Sequence, residues 1–89
     1  MKHRFEVLVS LKEGLLDPQG KAVQAALPAL GWSNVTEVRV GKVIELVVEA
    51  DDPTEARGQV EEMALRFLSN PVIEDFTVVS TDGEGADEP

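Results

Sequence analysis

The apolar side chains of this chain repeat with two different periods that alternate along the sequence. Apolar and polar residues alternate over residues 4–11, which is the period of a strand buried on one face. Over residues 18–30 the apolar positions recur at i, i+3, i+4 and i+7, which predicts a helix that Gly31 is placed to end. Pro28 lies inside this helix and removes one of its hydrogen bonds, so we expect the last turn to bend or tighten.

Two further strands, a second helix and a last strand follow. Residues 35–40 and 43–50 are rich in valine and isoleucine and are separated only by Gly41-Lys42, which predicts a hairpin with a tight turn. An Asp-Pro pair then supplies the cap and the first position of the second helix. An Asn-Pro pair ends that helix, and residues 72–79 form the last predicted strand.

The predicted order is strand, helix, strand, strand, helix, strand. This order is typical of a ferredoxin-like α+β fold, in which two helices cover one face of a four-stranded antiparallel sheet. The opposite face would still carry Leu8, Val43 and Val47, whereas an open face normally alternates to polar side chains. We therefore expect these residues to lie in a self-association surface of a homodimer or homotetramer, formed through the open sheet face or by exchange of strands between subunits.

Size and charge limit the class of protein. With 89 residues the chain is one domain, predicted over residues 1–80, and residues 81–89 are predicted to form a disordered acidic tail. The 17 acidic and 8 basic side chains give a net charge of −9, which argues against nucleic acid as a partner. No apolar run is long enough to span a bilayer, and the N-terminus leads into a strand, so we expect a cytoplasmic protein with no membrane partner.

Residues that carry catalytic or metal chemistry are sparse. The sequence has no cysteine, and its only histidine, His3, lies near the N-terminus without a second candidate ligand, so we expect it to be exposed. Gly41-Lys42 lacks the earlier glycine and the following serine or threonine of a phosphate loop. The sequence therefore predicts no catalytic residue, no bound cofactor and no metal ligand in this chain.

The connection between the first strand and the first helix contains more chemistry than a connector needs. Leu15 and Leu16 are apolar in its middle, where a plain loop is polar. Asp17 and Pro18 fit the cap and the first position of the helix. Gly20 falls in the first turn, where glycine costs roughly 0.5–1 kcal/mol relative to alanine, and close approach by another backbone would explain it.

Three short segments in chain order carry a family resemblance. They read Leu-Asp-Pro-Gln-Gly at residues 16–20, Val-Arg-Val-Gly-Lys at residues 38–42 and Asn-Pro-Val-Ile-Glu at residues 70–74. Through them the chain resembles the PurS family, the small subunits of phosphoribosylformylglycinamidine synthase. The resemblance runs from about Phe5 to Val79, and the acidic end after it lies outside the shared pattern.

The resemblance implies an accessory subunit, without an active site of its own, in an ATP- and glutamine-dependent ligase of purine (IMP) biosynthesis. In that family a large synthetase subunit (PurL) uses ATP and magnesium, a glutaminase subunit (PurQ) releases ammonia, and the small subunit helps the two assemble to make formylglycinamidine ribonucleotide. The residues of the matching segments and their neighbours then become candidates for contacts within the complex: Lys12, Asp17, Pro18, Gln19, Gly20, Arg39, Gly41, Lys42, Asn70, Pro71 and Glu74. The alternative is a stand-alone regulatory module of ferredoxin-like topology that binds a small molecule.

Overall fold

A computed structural model describes residues 1–81 as a three-stranded antiparallel sheet with two helices. The sheet has the order β2-β1-β3. Apart from Thr81, the tail predicted over residues 81–89 lies outside the described residues. Among the helices of the described part, none has the length and apolar character needed to cross a membrane. In chain order the elements are β1 (Lys2–Leu11), α1 (Pro18–Ala26), β2 (Gly41–Glu49), α2 (Pro53–Met63) and β3 (Glu74–Ser80).

The central strand β1 buries the face that carries its odd-numbered side chains. Its register places Val7 opposite Ile44 of β2 and opposite Val78 of β3. The alternation predicted for this strand is therefore confirmed. The buried apolar core lies between this face of the sheet and α2, and consists of Phe5, Val7, Val9, Val48, Ala50, Ala56, Val60, Ala64 and Val78.

The second helix begins and ends with defined backbone hydrogen bonds. The Asp52 carboxylate accepts from the Glu55 N–H at 2.7 Å, which confirms the predicted cap. Beyond α2 the helix widens into a π-helical turn, Ala64–Leu68, in which the Ser69 N–H and hydroxyl both donate to the Ala64 carbonyl oxygen. The small side chains that α2 places against the sheet allow the helix to pack closely on β1.

Within one copy of the chain the first helix does not pack on the sheet, so α2 alone covers the face that was predicted to carry both helices. Only Gly20 is buried in α1. The helix gives way at Leu27 to a short 3₁₀ turn that contains Pro28, and Gly31 ends it in the left-handed region with φ 109°. The chain is extended as a result: its radius of gyration is 16.6 Å, whereas a compact domain of this length has a radius of about 12 Å.

The second predicted strand and the tight turn after it do not form within one copy of the chain. Residues 35–40 pair with no strand in the described part of the chain, and Gly41 already begins β2 opposite Ser10. Glycine is required there because a Cβ would lie 2.5 Å from the Val9 carbonyl oxygen. Gly41, which suggested a turn in the sequence, therefore permits the close pairing of β2 with β1. The sheet of the described chain has three strands in place of four.

The face of the sheet opposite α2 stays open. Leu8, Val43 and Val47 lie on it and are exposed, in the positions expected from the sequence. Glu6 and Glu45 also lie on this face, directly opposite each other across β1 and β2. Two carboxylates in that arrangement repel each other, so this face is amphipathic and not purely apolar.

Candidate functional site

Asp17 lies at the centre of the junction between β1, α1 and the segment that leads into β2. Its side chain is buried, and it accepts from the Gly20 N–H at 2.8 Å through Oδ1, as a helix cap does. The second oxygen, Oδ2, accepts from the Val40 N–H at 2.8 Å. One carboxylate therefore joins the start of α1 to a residue 23 positions away in the sequence.

The surroundings of Asp17 favour its ionised form. The hydrogen bonds from the Val40 and Gly20 N–H groups hold the pKa of the Asp17 carboxyl below its ordinary value, and the Arg39 charge and the Gln19 N–H act in the same direction. Burial opposes them with a smaller effect. Both carboxylate oxygens are occupied by backbone donors, so Asp17 acts here as a fixed acceptor.

Arg39 fixes the loop from the other side. Its guanidinium donates to the carbonyl oxygens of Leu11 at 2.9 Å, Lys12 at 3.2 Å and Leu15 at 3.3 Å. All three acceptors are backbone carbonyl oxygens. Because these carbonyls lie at the end of β1 and in the loop that follows it, Arg39 holds the start of that loop in place.

Close backbone contact completes the junction. The Gly20 Cα faces the Val38 carbonyl oxygen so closely that no side chain fits between them, which confirms the reason proposed for this glycine. Further along α1, the Gln24 amide donates to the Thr36 carbonyl oxygen at 3.1 Å. The extended segment of residues 36–40 thus lies beside α1 and has no ladder to a neighbouring strand.

The third family segment reaches the same end of the sheet. The Lys12 N–H donates to the Ile73 carbonyl oxygen at 2.9 Å, and the Lys12 ammonium lies 2.9 Å from the Asp75 carboxylate. The turn before β3 is closed internally: the Glu74 N–H donates to the Asn70 carbonyl oxygen at 2.7 Å, and the Glu74 carboxylate accepts from the Asn70 N–H at 2.7 Å. All three segments therefore meet where β1 ends and where β2 and β3 begin.

The structure brings six of the predicted contact residues around one depression of about 270 Å³. Gly20 and Arg39 do not line it, and they restrain the backbone of the adjacent junction. Asn70 and Pro71 lie on the turn before β3, and Lys12 is engaged by Asp75. The six residues around the depression are Asp17, Pro18, Gln19, Gly41, Lys42 and Glu74.

Two features of the structure differ from or extend the expectations from the sequence. His3 was expected to be exposed, but it is buried, and its Nε2 atom has no hydrogen-bond partner among the described residues. His3 lies two residues before Phe5 on the same strand, and this alternation indicates that its side chain faces the core as those of Phe5 and Val7 do. The second feature is the exposure of Leu16 and Val72, whose positions in the family segments did not show that their side chains are largely exposed.

The fold and this junction define a small α+β protein in which one buried aspartate and one arginine tie a strand, a helix and an extended segment together. Residues 4–82 match the family described as PurS: phosphoribosylformylglycinamidine (FGAM) synthase. This chain belongs to the PurS family. Between the two alternatives raised by the sequence, membership in this family favours the ligase subunit over a stand-alone regulatory module.

Similar proteins cover nearly the whole chain. The subunit PurS of phosphoribosylformylglycinamidine synthase from Bacillus subtilis is 46% identical over 83% of this chain and 87% of its own length. The crystal structure of PurS from Methanocaldococcus jannaschii, one of the subunits of formylglycinamide ribonucleotide amidotransferase, has 36% identity and a TM-score of 0.80, covering 94% of this chain and all of that one. A structure of PurLQS from Thermotoga maritima has 29% identity and a TM-score of 0.83, covering 90% of this chain and 98% of that one.

Proposed function

We propose that this chain is the small, non-catalytic subunit of phosphoribosylformylglycinamidine synthase and works in the cytoplasm. The observation that carries the proposal is the family match over residues 4–82, which includes all three segments that meet at the junction. The similarity to a chain of the Thermotoga maritima PurLQS structure supports assembly with a synthetase subunit and a glutaminase subunit. ATP and magnesium would bind to the large subunit, and this chain would bind no cofactor.

The chemistry of the junction supports a role in assembly. Asp17 is an ionised acceptor whose two oxygens both accept from backbone N–H groups, and the Arg39 guanidinium donates to backbone carbonyl oxygens. Neither group is arranged to transfer a proton or to hold a phosphate. What these residues do is fix the shape of one end of the protein, which suits a subunit that positions two partners.

A subunit of this kind accelerates the overall reaction through proximity. Ammonia released into water is protonated and diluted before it reaches a second active site. Holding the glutaminase and synthetase together raises the effective concentration of ammonia at the acceptor and excludes water from its path. We therefore expect the chain to affect the glutamine-dependent reaction and to leave each partner's own chemistry intact.

Reconstitution with the purified synthetase and glutaminase subunits of the same organism tests this function. Adding the chain is expected to restore formation of formylglycinamidine ribonucleotide from glutamine, while the same reaction driven by added ammonium salt needs only the synthetase. The chain alone is expected to hydrolyse neither ATP nor glutamine. A full glutamine-dependent rate without the chain, or turnover by the chain alone, would contradict the proposal.

We further propose that two copies associate by exchange of residues 35–40, which would supply the missing fourth strand. The outer edge of β2 has no strand neighbour among the described residues, and residues 35–40 are extended and rich in valine. Ile44 and Leu46 of β2 are only partly buried beside that edge, which leaves room for α1 of a second copy. Exchange would thus restore both the strand and the helix layer of the ferredoxin-like arrangement.

The open sheet face is the weaker of the two proposed contacts. Leu8, Val43 and Val47 would be covered there, but Glu6 and Glu45 would be buried with them at a cost in desolvation. We propose that this face pairs dimers into a tetramer. Light scattering separates the two contacts: Glu37→Pro removes an N–H from the exchanged strand and should give monomers, whereas Val47→Glu should give dimers. Monomers from Val47→Glu and intact dimers from Glu37→Pro would refute the assignment.

A further inference from the structure

The outer edges of the two flanking strands differ in how they are covered. Because β1 lies in the centre of the sheet, β2 and β3 each have an outer edge that no strand of the described chain pairs with. An uncovered edge presents a row of N–H and C=O groups to which a strand of another chain can pair. The groups that cover each edge therefore determine where another chain can extend the sheet.

The pairing of β3 with β1 shows which backbone groups of β3 point outwards. Just before β3 begins, the Lys12 N–H donates to the Ile73 carbonyl oxygen at 2.9 Å. Just after β3 ends, the Thr81 N–H donates to the Arg4 carbonyl oxygen at 3.0 Å. The odd-numbered residues thus turn their backbone groups towards β1, and the even-numbered residues turn theirs to the outer edge. The outward-facing residues of β3 are Glu74, Phe76, Val78 and Ser80.

Arg57 of α2 occupies one of these outward-facing groups. Its Nη2 atom donates to the Val78 carbonyl oxygen at 2.8 Å. Its Nε atom donates to the Glu61 carboxylate at 3.2 Å, one turn further along the helix, and this ion pair orients the planar guanidinium. At the start of the strand the Glu74 N–H donates to the Asn70 carbonyl oxygen at 2.7 Å. The outer edge of β3 is therefore engaged by groups of its own chain.

The position of Arg57 on α2 suits it to this edge. Ala56 and Val60 of the helix are buried against the sheet, and Arg57 lies beside that buried face on the side of β3. Its side chain carries the guanidinium out to the strand edge, where 46% of the side chain is exposed. A strand that paired with β3 would have to take the Val78 carbonyl oxygen from the guanidinium and remove the water around a charged group, which is costly.

The sequence of β3 makes an uncovered edge hazardous. Residues 76–79 read Phe-Thr-Val-Val, which are all aromatic or β-branched residues of high strand propensity. Short segments of this kind pair with copies of themselves when their edge is bare. A charged side chain at the edge is one of the devices by which sheet proteins prevent such pairing.

We propose that Arg57 closes the outer edge of β3 to strand pairing and thereby confines strand addition to the outer edge of β2. The strand that adds to β2 is residues 35–40 of a second copy, and in this part the inference rests on the exchange proposed above. One open edge per copy lets two copies close on each other. Two open edges per copy let assembly continue from one pair to the next.

The test replaces Arg57 by methionine in the full chain. Methionine keeps an unbranched side chain and a high helix propensity, but it has neither the charge nor the N–H donors. We expect Arg57→Met to raise the mass measured by light scattering about twofold or more above that of the original chain, and to raise it further with protein concentration. Arg57→Lys keeps a positive charge at the edge and should have the original mass.

Arg66 provides a matched control for the loss of a charge and of an ion pair. It donates to the Glu62 carboxylate at 2.8 Å, one turn before it, as Arg57 does to Glu61 one turn after it. Arg66→Met should therefore leave the mass unchanged. If Arg57→Met loses helix content in circular dichroism, Arg57→Gln, which also lacks the charge, replaces it in the comparison.

A cysteine in β3 reports on the edge directly, because the sequence contains no other cysteine. Thr77 is exposed at the centre of β3. Two antiparallel copies of β3 would bring this position close to its counterpart, within reach of a disulfide. Under mild oxidation, Thr77→Cys together with Arg57→Met should form a covalent dimer much faster than Thr77→Cys alone.

Each outcome decides the inference. An unchanged mass of folded Arg57→Met, or an equal increase with Arg66→Met, would overturn it. A lower melting temperature with unchanged mass and unchanged disulfide formation would also overturn it, because Arg57 would then only tie α2 to the sheet. The variant Glu37→Pro with Arg57→Met separates the two proposals: dimers from it and monomers from Glu37→Pro alone support both, whereas dimers from Glu37→Pro alone refute the exchange and leave the β3 edge to be decided by Thr77→Cys.

Discussion

Replacement of Gly20 by alanine sets two effects of opposite sign against each other. In a helix, alanine is favoured over glycine by roughly 0.5–1 kcal/mol, so helix propensity alone predicts a more stable protein. The structure predicts the reverse, because a Cβ at this position would collide with the Val38 carbonyl oxygen and press on the Asp17 carboxylate at 3.0 Å. The obstructing atom is backbone, so no side-chain rotation relieves the collision.

The size of the loss follows from what has to move. The Val38 carbonyl belongs to a segment that is held to α1 by the hydrogen bond between the Val40 N–H and Asp17. Overpacking of this kind costs typically about 1–3 kcal/mol. Subtracting the gain in helix propensity leaves a net loss of up to about 2.5 kcal/mol, with a central value of about 1 kcal/mol. For a domain of this size the central value corresponds to a fall in melting temperature of about 4–8 °C.

Gly58 provides the matched control, because it lies inside α2 and has no atom near the position of a Cβ. Gly58→Ala should raise the melting temperature by about 2–8 °C. Both variants are compared with the original chain by calorimetry at one protein concentration, since dissociation of an oligomer makes the transition depend on concentration. A rise of similar size for both variants would refute the close contact between α1 and residues 36–40.

Three other predictions follow from single features. The pKa of Asp17 is lowered in the folded chain, so its ionised form stabilises the fold above the ordinary pKa of about 4, and this stability is lost as the pH falls through the lower folded pKa. The melting temperature should therefore fall more steeply between about pH 5 and pH 2 for the original chain than for Asp17→Asn, and parallel curves would contradict this. His3→Leu removes a buried nitrogen that has no hydrogen-bond partner within residues 1–81, and it should raise the free energy of unfolding in urea by about 1 kcal/mol. A loss of stability would indicate a partner for Nε2. Deletion of residues 82–89, which contain one small apolar side chain, should shift the melting temperature by less than about 2 °C, and a larger fall would mean that the segment is docked.

Local rules predicted most of the elements of this fold. Alternation gave β1 its buried face, and the Asp-Pro pairs gave the starts of α1 and α2, where Asp17 and Asp52 both cap as expected. Gly31 ends the first helical segment in the left-handed region. These features depend on residues within one or two turns of each other, so a single sequence contains the information needed to predict them.

The errors concern the partner of an element and not its local shape. Residues 35–40 are extended as their composition suggests, but their hydrogen bonds go to Asp17 and Gln24 in place of β2. Gly41 was assigned to a turn because glycine serves turns and close contacts equally well, and only the position of Val9 distinguishes the two. Periodicity likewise shows that α1 has an apolar stripe without showing which surface covers it.

The same limit applies to the candidate site. The family resemblance marked the polar residues and glycines of the junction, and the structure places Asp17, Gly20 and Arg39 where each one restrains backbone. Residues that shape a loop are specific in type and spacing, because a hydrogen bond or a close contact tolerates few alternatives. Leu16 and Val72 stand in the same segments, but only the structure shows that both side chains are largely exposed.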